Sequence, residues 1–267
     1  MKETASHLDR ILAGVREDLE ARKAVAPPSD VAERARRNVR RRVFRAGPGE
    51  APGIIAEIKR ASPSKGWIRK ELDAAETARA YARGGACAVS VLTENRFFGG
   101  SLADLASASD ACGSIPVLRK DFLLDEYMIA ESRAWGADIV LLIVAVLGEG
   151  TEGMIRTAAG YGMEALVEVH DEAEMELAVR AGAAIIGINN RSLSTLRVDL
   201  DTSRRLLPLA PRDAVKVVES GISSPDEVLR FHALGADAFL VGETLVRSGD
   251  AEEAVRSLTG KLRRSTA

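Results

Sequence analysis

A glutamate and a lysine two residues apart at the end of an apolar run can exchange protons, and Ala56-Glu57-Ile58-Lys59 supplies that pair. Two-residue alternation along a strand puts Glu57 and Lys59 on one face. Other apolar runs end in similar fashion: Arg119-Lys120-Asp121, then Glu168, then Asn189 with Arg191, then Glu219-Ser220-Gly221. Any one of these suits a structural ion pair as well as chemistry. Two lysines, two or three glutamates, an asparagine and an arginine converging from five runs do not, because burying so many charges without use is costly. Ser220-Gly221 and Gly242-Glu243, the latter followed by Thr244 to Arg247, add what a phosphate needs: backbone N–H groups, a helix start and glycine for close approach. Either glycine alone could merely turn the chain.

Other chemistries lack material. His7, His170 and His232 are the only histidines, too few for a His-based triad or a His-rich metal site, so no metal is expected. His170, just past the fifth run, and Lys216, near the start of the seventh, are expected to be structural. Cys87 and Cys112 have neither metal-ligand spacing nor the density of a disulfide framework, and read as buried free thiols.

The elements that must position these groups are legible. From residue 54 onward, runs rich in Val, Ile and Leu begin near Ile54, Cys87, Pro116, Asp138, Glu164, Ala184, Ala214 and Ala238, alternating with helical patterns. Such alternation means βα units and a parallel sheet. Eight of them predict an α/β fold, a single (β/α)8 TIM barrel, whose active site would lie at the C-terminal ends of the strands, where the polar residues are. Gly-Ala recurs at 85, 136, 182 and 235, each time just before a strand, as expected where a helix stops on a left-handed glycine. Asp73 with Glu76, Asp171 with Glu174 and Ser224 with Glu227 have capping-box spacing, and Pro225 suits a first helical position.

Residues 1–52 read as an N-terminal helical extension packed on a catalytic barrel formed by 53–267. Its helix spans 4–24, with Leu8, Ile11, Leu12, Val15 and Leu19 on one face, and 26–50 is a connector broken by Pro27-Pro28 and Gly47-Pro48-Gly49. Seven of the twelve residues from Arg34 to Arg45 are arginine, which reads as a solvated helix face able to lend charge to a phosphate site.

With 37 basic and 39 acidic residues the net charge is −2, which argues against a nucleic-acid or anionic-membrane surface. The longest apolar run, Ile139 to Leu147, is too short to span a bilayer, and the charged N-terminus lacks the apolar stretch of a secretory signal. A cytoplasmic protein with a small soluble ligand is expected.

The stretches GIIAEIKRASPSKG (53–66), SVLTENRFFGGS (90–101), PVLRKDFLLDEY (116–127), ALVEVH (165–170), IGINNRSL (186–193), VVESGI (217–222) and FLVGE (239–243) resemble the indole-3-glycerol phosphate synthase family, in order and at family spacing. EIKRASPSKG and LRKDF together are not general barrel features. The resemblance implies closure of 1-(2-carboxyphenylamino)-1-deoxy-D-ribulose 5-phosphate to indole-3-glycerol phosphate, with loss of carbon dioxide and water and no cofactor. It implies that Lys120 protonates the substrate carbonyl oxygen as the aromatic carbon attacks. Glu57, Lys59 and Glu168 would share the dehydration, which of them is acid and which base staying open, with Asn189 as an orienting group. Arg191, Ser220, Gly221, Gly242 and Glu243 would hold the phosphate or neighbouring oxygens. Ser62, Phe122, Glu219 and Leu240 would line the pocket, Phe122 near the anthranilate ring.

Ring closure does need a proton donor, and a lysine among carboxylates can be tuned for that task. The loop Arg60–Lys70 has the Gly, Pro and Ser content of a closing lid, with Lys65 placed to reach an anion. Residues 31–52 match the family poorly, and Trp67 stands where smaller apolar residues are usual. A monomer is expected, in at most loose association with other tryptophan-pathway enzymes. Two other readings stay open: another phosphosugar barrel, such as a Schiff-base aldolase using Lys120 or Lys59, separable by borohydride trapping, or an isomerase of an amino-acid pathway; and a non-catalytic phosphate-binding barrel.

Overall fold

The computed structural model describes residues 6–46 and 51–265, and their side chains as far as residue 258. The breakers Gly47-Pro48-Gly49 and helix residues 4 and 5 lie outside the described residues.

Eight parallel strands close a barrel: β1 (Gly53–Ile58), β2 (Ala88–Leu92), β3 (Val117–Lys120), β4 (Ile139–Ile143), β5 (Glu164–Val169), β6 (Ile185–Asn189), β7 (Val215–Glu219) and β8 (Ala238–Val241). Each pairs with its sequence neighbour, and β1 closes the ring between β8 and β2. Every strand starts within one residue of its expected position. The glycines of the four Gly-Ala pairs have φ of 92°, 96°, 77° and 100° at 85, 136, 182 and 235. L-residues with a Cβ avoid that region, so glycine ends each helix and releases the chain into the next strand. The cap at Ser224 is a full capping box, with Pro225 opening the helix Pro225–His232. Asp73 and Asp171 accept from the backbone as expected, but Glu174 turns instead to the N–H and ring of His170.

Ahead of the barrel, α1 (His7–Val25) buries Ile11, Leu12, Val15 and Leu19. It lies against the catalytic end: Arg22 reaches Glu131 at 2.9 Å, Lys23 reaches Asp125 at 2.6 Å, and Arg96 pairs with Glu17 and Asp18. A second helix, α2 (Pro28–Arg37), replaces the expected irregular connector over its length. Pro28 sits in the first turn, where its missing N–H costs nothing, so the Pro-Pro pair starts a helix rather than breaking one.

The arginine-rich stretch divides. Arg37 is exposed on α2, but residues 38–46 leave the helix and run along the opposite end of the barrel. There the Arg42 side chain is buried, its Nε 2.7 Å from Asp138 and its Nη2 donating to Ser109 Oγ at 2.6 Å. Arg40 donates to the Ser109 carbonyl and Phe44 N–H to Glu164. Asp138 and Glu164 begin or precede strands, so the stretch straps the barrel floor, far from any phosphate at the mouth. The expectation of a solvated helix face therefore fails for Arg42, because strand-start carboxylates on the floor need a cation. Of the two cysteines, both free, Cys112 is buried as expected and Cys87 only half-buried.

Candidate active site

Polar strand ends meet in one cavity of about 950 Å3 at the C-terminal mouth, and every site residue expected from the sequence lines it. At its centre the Lys120 ammonium, at the end of β3, donates to Glu168 Oε2 of β5 at 3.0 Å and lies 3.2 Å from Glu219 Oε2 of β7. Beside them Lys59 donates to Glu57 Oε1 at 2.6 Å, a pair set up by the two-residue alternation of β1.

Alternation also separates Lys120 from its neighbours in sequence. Arg119 points outward, fully buried beneath the helix Glu126–Ala134, and bonds Glu131, Asp121, Thr93 and Ser132. Asp121 in turn accepts the Phe122 N–H at 2.8 Å. Through Glu131, which Arg22 also grips, this network ties α1 to the strand that carries Lys120. Arg119 is thus a buttress that also holds Asp121 at the cavity edge, and of the three only Lys120 meets Glu168 and Glu219.

Burial alone would strip the Lys120 proton, but Glu168, Glu219 and Glu57 outweigh it and raise its pKa well above the ordinary lysine range. The two carboxylates on Lys120 diverge. Burial pushes Glu168 up, yet Lys120 and His170 pull it well below the usual carboxylate range. Burial and the Glu168 charge drive Glu219 up to about 8 against the pull of Lys120, and neither of its oxygens has a well-directed hydrogen bond. Glu168 is thus held towards the carboxylate and Glu219 is biased towards taking up a proton.

Two glycines make room for these carboxylates. A Cβ at Gly187, on β6, would stand 2.2 Å from Glu219 Oε1, and one at Gly242 would stand 2.2 Å from Glu57 Oε1. Gly242 therefore clears space for Glu57 in addition to capping the short helix Glu243–Arg247. Gly187 was not singled out in the sequence.

One side of the cavity is formed by the turns after β7 and β8. Ser220 and Gly221 are consecutive left-handed residues, φ 64° and 87°, a concave backbone arrangement that suits an anion. Asn190 holds this turn: its amide donates to the Ser220 carbonyl at 3.0 Å while its oxygen accepts from Ser203. Asn189 accepts the Arg191 N–H at 3.0 Å, and the Arg191 guanidinium donates to the Leu196 carbonyl. The opposite wall is apolar. Phe98 and Phe122 stand 6.4 Å apart at 42°, and Leu8 and Ile11 of α1 reach the same cavity. Phe98 escaped the sequence reading, as did Glu94, whose buried carboxylate accepts three backbone N–H groups and shapes the loop that presents it.

The loop after β1 forms a small antiparallel ribbon, Ala61–Ser62 with Gly66–Trp67. Arg60 anchors its base on Asp104 and the Leu72 carbonyl, whereas Trp67 is 59% exposed. Lys216 is structural as expected, 3.3 Å from Asp237 on the floor. His170 is different: its Nε2 lies 3.4 Å from Glu168 Oε1. Among the described residues no group of three His, Cys, Asp or Glu side chains is placed to hold a metal ion.

A closed parallel barrel with lysines and carboxylates gathered at the C-terminal mouth defines an enzyme of the (β/α)8 class. Similarity to solved structures bears on the fold alone. 3-Hexulose-6-phosphate synthase from Salmonella typhimurium superposes with a TM-score of 0.64 at 17% identity, covering 79% of this chain and 99% of that one. Thiamine phosphate pyrophosphorylase from Pyrococcus furiosus gives 0.60 at 17% identity, covering 81% and 96%. Sequence relatives are far more similar. The family model for indole-3-glycerol phosphate synthase matches residues 8–258. The indole-3-glycerol phosphate synthase of Kineococcus radiotolerans is 50% identical, covering 94% of each chain, and that of Nocardioides sp. is 51% identical, covering 96% of this chain and 98% of that one. The chain belongs to the indole-3-glycerol phosphate synthase family, carboxy-lyases of tryptophan biosynthesis.

Proposed function

We propose that the chain converts 1-(2-carboxyphenylamino)-1-deoxy-D-ribulose 5-phosphate to indole-3-glycerol phosphate by lysine and glutamate acid–base chemistry, with Lys120 and Glu168 as a self-resetting pair. The turn at Ser220-Gly221 and the helix start at Gly242 hold the phosphate, and Phe98 and Phe122 flank the anthranilate ring. Binding both ends bends the chain so that the ring carbon bearing the carboxylate meets the ketone, and much of the rate comes from this positioning.

As that carbon attacks, Lys120 stabilises the developing alkoxide and gives it a proton; an alkoxide is basic enough to take one even from a strongly held ammonium. Loss of carbon dioxide from the same carbon restores the aromatic ring. In the dehydration, Lys59 protonates the departing hydroxyl and Glu168 removes the proton from the adjacent methylene. Glu168, kept ionised, suits the base, while Lys59 beside Glu57 suits the acid. Two protons enter the substrate and one leaves it, so one proton per turnover comes from solvent, matching the carboxylate lost as carbon dioxide. The proton on Glu168 then sits 3.0 Å from the Lys120 nitrogen that has lost one, and can return directly.

The observation that carries this reading is Lys120 held between Glu168 and Glu219 at the centre of the mouth. The raised pKa of Lys120 disfavours the Schiff-base alternative, which needs a neutral amine. Among the described residues no helix is long and apolar enough to cross a membrane, and the proposal extends to a cytoplasmic monomer acting on a small phosphorylated substrate, at most loosely associated with other enzymes of its pathway. Incubation of the purified protein with the carboxyphenylamino-deoxyribulose phosphate should produce indole fluorescence, and borohydride should neither inactivate nor modify it. A borohydride-trapped lysine adduct would refute the acid–base reading.

A further inference from the structure

We propose that His170 is a positioning residue for the dehydration: as a cation behind Glu168 it holds that carboxylate ionised and oriented, ready to take the substrate proton. The inference rests on the reading of Glu168 as base.

Its geometry is specific. Glu168 has two oxygens and a cation on each, with Oε2 accepting from Lys120 at 3.0 Å and Oε1 lying 3.4 Å from His170 Nε2. Glu168 is buried, and a buried carboxyl of this kind ordinarily takes up a proton. Glu219 provides the internal comparison. It is equally buried and shares Lys120, but has no second cation and no well-directed hydrogen bond, and it drifts to about 8. Part of that rise comes from the Glu168 charge itself, and what Glu168 has that Glu219 lacks is His170 beside its second oxygen.

His170 is itself held from behind. Glu174, on the helix Glu172–Arg180, accepts the His170 backbone N–H at 2.8 Å and contacts ring Nδ1 at 3.0 Å. Burial would pull the imidazole down, but Glu168 and Glu174 together raise it to about 10, so it is an imidazolium through the neutral range. The other charges facing the pair include Glu219 from β7, Glu57 and Lys59 from β1, and Arg197 and Asp199 across a second cavity of about 760 Å3. That cavity is lined by His170 and Glu174 but not by Glu168. His170 therefore stands between the substrate-side carboxylate and a separate polar cleft.

The test compares wild type with His170→Asn and His170→Lys in protein carrying 13C-labelled glutamate carboxyls. The Glu168 signal is identified as the one missing from Glu168→Gln. In His170→Asn its titration should move up by about one unit or more, the effect of losing an opposite charge at this distance. The acid limb of kcat/KM should move up with it, while KM changes little. Lysine at 170 restores a cation and should bring both back towards wild type. An imidazole with a purely structural role would leave the Glu168 titration and the shape of the pH profile unchanged, lowering only Tm or kcat uniformly. That result overturns the proposal, as does a Glu168 that stays ionised down to acid unfolding in His170→Asn. Turnover retained by Glu168→Gln would instead refute Glu168 as base, whatever His170 does to its titration.

Discussion

Replacing Gly187 by alanine should damage catalysis far more than it damages the fold. The new Cβ would lie 2.2 Å from Glu219 Oε1 and 3.2 Å from Leu166 Cδ1. Carbon and oxygen do not approach below 3.0 Å, so one partner must give way. Gly187 is in the middle of β6 with hydrogen-bonded neighbours on both sides, whereas the carboxylate is the end of a flexible side chain. The carboxylate therefore retreats, by about 1 Å, and loses its station 3.2 Å from Lys120. A displacement of that size at a reacting centre costs about 10²-fold in rate. Overpacking costs about 1–3 kcal/mol of stability, within the margin of a folded domain. Gly153→Ala, with nothing within 4 Å of the new Cβ, is the control and should leave kcat unchanged. Steady-state kinetics by indole fluorescence, together with urea denaturation, reads both quantities. A Gly187→Ala enzyme with wild-type kcat would show that the place of Glu219 beside Lys120 does not matter, and the reasoning would fall.

Three further outcomes follow from the structure. Arg42→Ala leaves the buried Asp138 without its 2.7 Å partner, and removal of one member of a buried pair costs about 3–5 kcal/mol; urea denaturation should show it while kcat at 25 °C stays near wild type. Glu219 has its folded pKa raised from 4.5 to about 8, so its contribution to stability is full at acid pH and lost progressively as pH rises to about 8; Glu219→Gln should thus gain Tm over wild type between pH 5 and 8, and a constant difference across that range would contradict it. If the loop Arg60–Lys70 closes as a lid, a substrate analogue should slow proteolysis within it and change Trp67 fluorescence in a Trp135→Phe background; unchanged cleavage and emission would make it a static connection.

The barrel was legible because its signals are local. Each Gly-Ala pair marks a left-handed helix stop, and each apolar run between such stops has strand length. The inward residues were legible too, because two-residue alternation fixes which polar groups at the strand ends face the mouth. What escaped depends on contacts across the fold. Pro27-Pro28 looks the same whether it breaks a chain or starts a helix, and only the packing of α2 decides. Arg42 is one arginine among seven, distinguished by Asp138 far away in sequence. Gly187 and Asn190 act through Glu219 and Ser220, some thirty residues on, and nothing near them in sequence announces it. Phe98 joins the site because the carboxylate of Glu94 folds its loop. His170 follows β5 directly, so two-residue alternation already puts it on the face of Glu168, and the expectation that it is structural overlooked that. The alternation rule, carried one residue further, would have separated Lys120 from Arg119 and Asp121 beforehand.

The most direct test of the central claim is turnover by Lys120→Ala, measured beside its substrate affinity. If Lys120 supplies the proton for ring closure, kcat should fall by at least about 10²-fold, the least that a lost general acid usually costs, while Kd for the substrate stays within several-fold of wild type. Arginine at 120 should not restore it, because a guanidinium does not release its proton near neutral pH. A Lys120→Ala enzyme that closes the indole ring at the wild-type rate would contradict the account.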